Sequence, residues 1–214
     1  MLLALCVKGQ EASDEPVIQA TLTGIALERR VSDLYLRNGK EYQQINFYPG
    51  VRSASVAYEG PREISLFTKG KNVEGETTWV PVASTLLQGF ASDYLLFVSR
   101  NSTSSPVKML ALPEDLADFK TGSYRFVNLT EKNIALKLGE ERASIRPLNF
   151  ADVSSSFKHG TSYESLLVEL PEGDASPQLI YSTSLYYNER VRMLYLISPV
   201  EGTSKVKLTG IPQQ

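Results

Sequence analysis

The two side chains that most often carry catalysis or bind metals, histidine and cysteine, occur once each, at His159 and Cys6. A Ser-His-Asp hydrolase needs a histidine held between an acid and a nucleophilic serine. His159 is the single candidate for that base, and its Lys-His-Gly-Thr-Ser surroundings predict an exposed loop. The sequence has no Gly-x-Ser-x-Gly elbow, and one cysteine with one histidine cannot build a zinc cage. We therefore predict a non-enzymatic protein with no cofactor and no metal, and a hydrolase of unrecognised type is the remote alternative.

Neighbouring carboxylates could serve a glycosidase or hold calcium. They occur at Glu114-Asp115, Glu140-Glu141 and Glu172-x-Asp174, each in a hydrophilic, turn-like context. A carboxylic general acid needs an apolar pocket that raises its pKa, and these contexts predict none. EF-hand spacing is also missing, so the acids are expected to be solvated turn residues.

Aromatic residues offer better candidates for ligand contact, since the chain has 11 Tyr, 8 Phe and 1 Trp. Tyr186 and Tyr187 are adjacent, just before a predicted strand. Neighbours on a strand point to opposite faces, so at least one of the two should reach solvent. An exposed tyrosine can anchor a sugar, a peptide or a partner protein; the alternative is that both cap the sandwich edge. Trp79, flanked by Val80 and Val82, is expected in the core.

The charge balance bears on the class of partner. The chain has 22 basic and 24 acidic residues, a formal net charge of −2. Because there is no basic surplus to neutralise phosphates, nucleic-acid binding is not expected. A protein or glycan partner is compatible with this balance.

The N-terminal segment resembles part of an export signal. Residues 1–7 are apolar, too few to span a membrane, and a polar, acidic stretch follows. They look like the end of a secretory signal peptide without its basic start. Leu3-Ala4-Leu5-Cys6 also resembles a lipoprotein box, with Leu5 where a small residue is usual, so Cys6 is a candidate for lipidation. The alternative is a frayed N-terminal strand.

Short runs rich in β-branched and aromatic residues, separated by Gly, Pro and Asn, extend along the whole chain. Helical periodicity is nearly absent, and at most one or two helical turns are predicted at 113–119, with proline at the first position. This pattern predicts an all-β fold made of two tandem antiparallel β-sandwich units.

An internal repeat supports the tandem arrangement. Residues 94–99, 107–109 and 112–113 match 193–198, 206–208 and 211–212 at an offset of 99. Earlier in the chain, Gly50 with 54–56 matches Gly139 with 143–145 at an offset of 89, and 36–38 resembles 126–128. The ten-residue difference predicts a longer loop in the second copy, within 154–165 or 172–177. The predicted boundaries are a leader-like segment at 1–15, a first unit at 16–113, a connector at 114–122 and a second unit at 123–214.

The hairpin at 122–139, with its Gly-Ser-Tyr-Arg-Phe-Val-Asn-Leu strand, resembles the first hairpin of small exported bacterial Ig-like β-sandwich domains of unknown function. The resemblance implies export, to the periplasm or cell surface, and a binding or scaffold role. The first half has Asp-Leu-Tyr-Leu-Arg-Asn at 33–38 instead of the motif. Our leading prediction is an exported, non-enzymatic binding or scaffold protein. The alternative is a structural subunit that assembles through sheet edges. If one copy has a special function, residues 154–177 are where the copies are expected to differ.

Overall fold

The fold is all-β, as predicted. A computed structural model describes residues 17–89, 91–100, 106–114, 119–154, 157–173, 175–200 and 202–213. Cys6 lies outside these residues, as do 115–118 of the predicted helical turn. The described residues form strands and turns without a helix. The strands are β1 (Ile18–Ala26), β2 (Val31–Asn38), β3 (Glu41–Phe47), β4 (Val56–Gly60), β5 (Glu63–Lys71), β6 (Thr77–Leu86), β7 (Asp93–Ser99), β8 (Lys108–Pro113), β9 (Tyr124–Asn128), β10 (Asn133–Leu138), β11 (Glu141–Ile145), β12 (Asn149–Val153), β13 (Ser162–Leu170), β14 (Gln178–Tyr186), β15 (Arg192–Pro199) and β16 (Val206–Gln213).

The strands form four sheets of four strands each, packed as two sandwiches. In the first unit, the sheet β4-β1-β7-β8 packs on the sheet β3-β2-β5-β6. In the second unit, β12-β9-β15-β16 packs on β11-β10-β13-β14. Each strand of the second unit thus occupies the place of the strand eight earlier in the chain. Neighbouring strands are antiparallel except for β1–β7 and β9–β15, which are parallel.

Alternation of side chains explains why these segments form strands. In β10, Ile134, Leu136 and Leu138 are buried and the residues between them are partly exposed. This period of two places one apolar row against the facing sheet. By contrast, five consecutive residues of β7, Tyr94 to Val98, are all buried, so β7 is covered on both faces.

The offset of 99 found in the sequence is confirmed by strand register. Leu95 pairs with Leu112 in the first unit, and Leu194 pairs with Ile211 in the second. Each residue of the second pair lies 99 positions after its counterpart. The two sandwiches therefore share both topology and register along these strands.

The offset of 89 is wrong. Gly139 is the counterpart of Gly39, because both lie in two-residue turns between paired strands and both have φ of 58°. Residues 126–128 lie on β9, the counterpart of β1, so they do not correspond to 36–38 on β2. A period-two pattern matches any strand reasonably well, and only the hydrogen-bonded register distinguishes the true partner.

A β-bulge at the same place in both units strengthens the correspondence. The register between β5 and β6 shifts just after Leu66, and that between β13 and β14 shifts just after Leu167. These leucines pair with Leu36 and Leu136, which are themselves counterparts. Since bulges are specific local features, a shared one indicates two copies of one design.

The cores of the two units are filled in compensating ways. A Cβ built on Gly24 would lie 2.2 Å from a ring carbon of Phe47, so the phenyl ring occupies the space above the glycine. In the second unit, Phe126 stands in the place of Gly24, by its pairing in the inner sheet. The position corresponding to Phe47 is Pro147. The large ring has thus moved from a strand of one sheet to a strand of the facing sheet while the core remains filled.

Loop lengths also compensate. The connection between β12 and β13 is longer than its counterpart, spanning 154–161 instead of 61–62, within one of the two segments predicted to be longer. The connection between β3 and β4, at 48–55, is in turn longer than the one at 146–148. The second unit therefore gains a loop at one end of the sandwich and shortens one elsewhere.

Candidate functional site

The two units pack against each other through the outer faces of the sheets β4-β1-β7-β8 and β12-β9-β15-β16, here called the inner sheets. Their contact is a continuous apolar cluster that excludes water from both sheets. This explains the uninterrupted burial along β7 and β15. The buried members of the cluster are Ile25, Leu95, Phe97 and Leu112 from the first unit, and Val127, Leu194, Leu196 and Ile211 from the second.

Both units use the same surface for this contact. Leu95 and Phe97 have Leu194 and Leu196 as counterparts at the offset of 99, and Ile25 has Val127 by its strand pairing. The interface is therefore of the isologous kind found in two-fold symmetric dimers, but within one chain.

A cleft of about 560 Å³ opens where the two inner sheets part. This volume lies in the range of small-molecule sites, which form preferentially between domains. The cleft combines hydroxyl groups, the aliphatic residues Val51 and Ile211 and one buried aromatic ring with charged groups of both signs. Its lining includes Thr21, Thr23, Ser55, Asp93 and Glu114 of the first unit, Phe119 of the connection, and Arg192, Ile211 and Gln213 of the second unit.

Arg52 joins the two units across this cleft. Its guanidinium forms a two-pronged ion pair with Glu114 and donates to the side-chain oxygen of Gln213 in the other unit. It also donates to the Thr23 hydroxyl at 3.3 Å. Glu114 is 6% exposed, so the expectation that it is a solvated turn residue was wrong. Buried carboxylates need such a partner, because an unpaired buried charge is strongly unfavourable.

The second unit fills the corresponding space with its own ion pair. Arg125 stands in the place of Thr23 and forms two hydrogen bonds of 2.7 Å with Asp152. Its guanidinium lies between two rings, 4.6 Å from the centre of Phe119 and 4.3 Å from that of Phe150. The small side chain of Thr23 is thus one reason why the cleft is open on the first unit's side.

Tyr186 and Tyr187 point to opposite faces, as their adjacency predicted. Tyr186 is 58% exposed at the end of β14, whereas Tyr187 is 6% exposed and packs against the rings of Tyr124 and Phe157. Burial raises the pKa of the Tyr187 phenol, and the nearby Glu189 carboxylate raises it further. Tyr187 is therefore placed in the core, and of the two only Tyr186 offers its ring to solvent. Its role in ligand contact remains a prediction.

Trp79 is not in the core, contrary to expectation. It lies partly exposed on the outside of the sheet β3-β2-β5-β6, stacked on Tyr42 at 4.1 Å between ring centres. Tyr35 and Phe67 complete an outer aromatic cluster that spans all four strands. Lys69 covers it, with its ammonium 5.0 Å from the Tyr35 ring. The rings contact one another and the lysine, so this cluster fastens the sheet, whose β2–β5 pairing is short.

Two residues of the 122–139 hairpin motif, Tyr124 and Asn128, have structural roles. Tyr124 is 1% exposed and donates to the Tyr186 carbonyl at 2.6 Å; burial raises its pKa. Asn128 is fully buried. Its side-chain nitrogen donates to the Lys132 carbonyl oxygen, and its side-chain oxygen accepts from the Thr130 backbone nitrogen. Asn128-Leu-Thr matches the glycosylation pattern, but its amide faces the protein interior.

The remaining sequence candidates lie apart from the cleft. His159 is exposed in a turn of the 154–161 connection. Within the described ranges, no group of three or more His, Cys, Asp or Glu side chains is arranged to hold a metal ion. No described segment forms a helix of the length and apolarity that crossing a membrane would need. Sequence reasoning missed Arg52, Thr23 and Gln213, because nothing local to them indicates a contact between units.

Neither the scan against protein-family models nor the search of curated proteins found a match. The site is therefore interpreted from its own geometry.

Proposed function

We propose that this protein is an exported, non-enzymatic binding protein that holds a neutral glycan in the cleft between its two units. The observation that carries the proposal is the cleft itself, which is lined by polar side chains from both units. Export is supported by the signal-like apolar residues 1–7 and by the resemblance of the 122–139 hairpin.

The chemistry of the lining suits a hydroxyl-rich ligand. Thr21, Thr23 and Ser55 can each donate and accept a hydrogen bond, and Asp93 can accept from adjacent sugar hydroxyls. The exposed side chain of Val51 provides an apolar contact for the C–H face of a sugar ring. Because guanidinium and carboxylate groups nearly balance here, the cleft has no strong preference for a charged ligand.

The carboxylates of the cleft favour binding over catalysis. Both oxygens of Glu114 are occupied by the Arg52 guanidinium. Asp93 accepts a hydrogen bond of 2.6 Å from Ser92 and lies on the opposite unit from Arg192. A glycosidase needs one carboxyl group free to protonate the leaving oxygen, and Glu114 is engaged in holding the units together.

Calorimetric titration with a panel of neutral and acidic oligosaccharides tests the proposal. The wild-type chain should bind at least one neutral member with micromolar to millimolar affinity. Thr23→Arg places a long side chain in the cleft, as Arg125 does in the second unit, and should weaken binding by at least tenfold. Thr77→Arg, an exposed strand position outside the cleft, is the matched control and should leave affinity unchanged.

Three results would contradict the proposal. The first is the absence of binding heat in the titration with every neutral glycan at millimolar concentration. The second is binding that survives Thr23→Arg in a folded variant, which would place the ligand elsewhere. The third is a preference for peptides over sugars, which would identify a protein partner instead. Circular dichroism of both variants establishes that they are folded.

A further inference from the structure

The edges of the four sheets differ in how they are protected against pairing with another chain. Each sheet has two edge strands, which gives eight in all. An edge strand exposes unpaired backbone groups, and proteins usually block it with a charge, a proline or a covering segment. Seven of the eight carry a charged residue or a proline: Glu41 in β3, Glu59 in β4, Pro81 in β6, Lys108 in β8, Glu141 in β11, Asp152 in β12 and Lys207 in β16.

Strand β14 is the exception. Its nine residues, Gln-Leu-Ile-Tyr-Ser-Thr-Ser-Leu-Tyr, contain neither a charge nor a proline. It pairs with β13 on one side only. Its counterpart in the first unit, β6, has Pro81 where β14 has Leu179, as judged from the shared bulge. The edge strand that Pro81 blocks in the first unit therefore has an unblocked counterpart, β14, in the second unit.

We propose that β14 pairs antiparallel with β14 of a second copy of this chain, forming a dimer with a continuous eight-stranded sheet. Antiparallel self-pairing brings residues of one strand opposite residues of the same strand. A charged strand would then face its own charges, which is destabilising, whereas uncharged β14 meets no such repulsion. The other outcomes of the test are a monomer and a dimer formed through a different surface.

The surroundings of the edge favour this occupant. On the neighbouring strand β13, Glu169 is paired with Lys132 at 2.6 Å, and Glu164 lies 3.9 Å from Lys137. Both of these acidic groups of β13 are thus balanced by a lysine within each copy. Leu179 and Tyr186, 56% and 58% exposed near the two ends of β14, would lose exposed apolar surface on pairing.

The expected dimer is weak. A strand pair buries less than the roughly 1,200–2,000 Å² typical of stable complexes, so association should depend on concentration. Light scattering coupled to size exclusion, from low micromolar to several hundred micromolar protein, measures it. A thiol reductant prevents Cys6 from linking two copies.

A matched pair of variants locates the interface. Ser182 of β14 and Ser84 of β6 are counterparts, and both are exposed. Ser182→Lys places like charges near each other across the proposed pair and should raise the dissociation constant at least tenfold. Ser84→Lys adds the same charge to the edge already blocked by Pro81 and should have no effect.

A monomer at every concentration overturns the proposal, and so does a dimer that is insensitive to Ser182→Lys or equally sensitive to both variants. Should Ser182→Lys fail to fold, hydrogen exchange of the wild-type chain decides. Amides of β14 should exchange more slowly as concentration rises, and slowing confined to another strand would refute the assignment. Neither experiment depends on the glycan proposal, because β14 is not part of the cleft.

Discussion

Replacing Asn128 by alanine should destabilise the second unit strongly. The Asn128 side chain is fully buried. Its amide nitrogen donates to the carbonyl oxygens of Lys132 at 2.7 Å and of Ile145 and Arg146 at 3.1 Å. Its oxygen accepts from the backbone nitrogen and the hydroxyl of Thr130 at 3.0 and 2.7 Å. One side chain therefore ties the end of β9 to the next turn and to the end of β11.

The size of the effect follows from these bonds. Each buried polar group left without a partner costs about 1–3 kcal/mol, and Asn128→Ala leaves several. Allowing for water entering the cavity, we expect a loss of about 3–5 kcal/mol, or about 10 °C in Tm for a chain of this size. Asn38→Ala is the matched control, since Asn38 also bonds the backbone, at the Ala57 oxygen and the Glu59 nitrogen, but at an exposed site. Its loss should be about 0.5–1 kcal/mol, because water can replace the bonds.

Urea unfolding followed by two probes measures this difference. Trp79 is the one tryptophan and lies in the first unit, so its fluorescence reports that unit, whereas circular dichroism reports both. Asn128→Ala should shift the circular dichroism midpoint, and any separation of the two curves identifies a second unit that unfolds first. If Asn128→Ala is no more destabilising than Asn38→Ala, the structural reading of this motif is refuted.

Three further changes test other parts of the structure. Gly24→Ala should lower stability by about 2 kcal/mol through overpacking, and Phe47→Leu in the same chain should recover part of it, as thermal melts would show; a neutral Gly24→Ala would refute the close contact. Tyr187→Ala should cost about 3 kcal/mol or more in urea denaturation, and Tyr186→Ala about 0.5 kcal/mol or less, since only the first ring is buried; equal losses would contradict their opposite placement. Burial raises the pKa of Tyr58 to about 12 from 10.0. Since the folded-state pKa is the higher, this group's contribution is intact below pH ~10 and is lost as the pH rises toward ~12, about 3 kcal/mol in all; Tyr58→Phe should flatten that part of the stability–pH curve, and an unchanged slope would argue against it.

The fold class could be predicted because strand alternation and turn residues are local signals. The register could not, since a period-two pattern around Gly139 resembles that around Gly50 as well as that around Gly39. Trp79 was misplaced for a related reason. Both faces of the sheet β3-β2-β5-β6 carry apolar residues, and the valines that flank Trp79 do not indicate which face is covered.

The cleft depends on how the units dock, and the sequence indicates only part of that. The apolar runs at Tyr94–Val98 and Met193–Ile197 have no polar alternation, which is typical of strands buried on both faces. These runs could have indicated that each inner sheet is covered on both of its faces. Nothing local indicates that Arg52 reaches Gln213, which lies 161 positions away.

The most direct test of the central claim is to map a bound neutral glycan by amide chemical-shift changes in the labelled chain. If the cleft between the units is the binding site, the largest changes should fall at Thr21, Thr23, Asp93 and Gln213, and Thr23→Arg should abolish them. Changes concentrated at Tyr35, Tyr42 and Trp79 on the sheet β3-β2-β5-β6, or at Tyr186, would contradict the account. The absence of any chemical-shift change at saturating glycan would also contradict it.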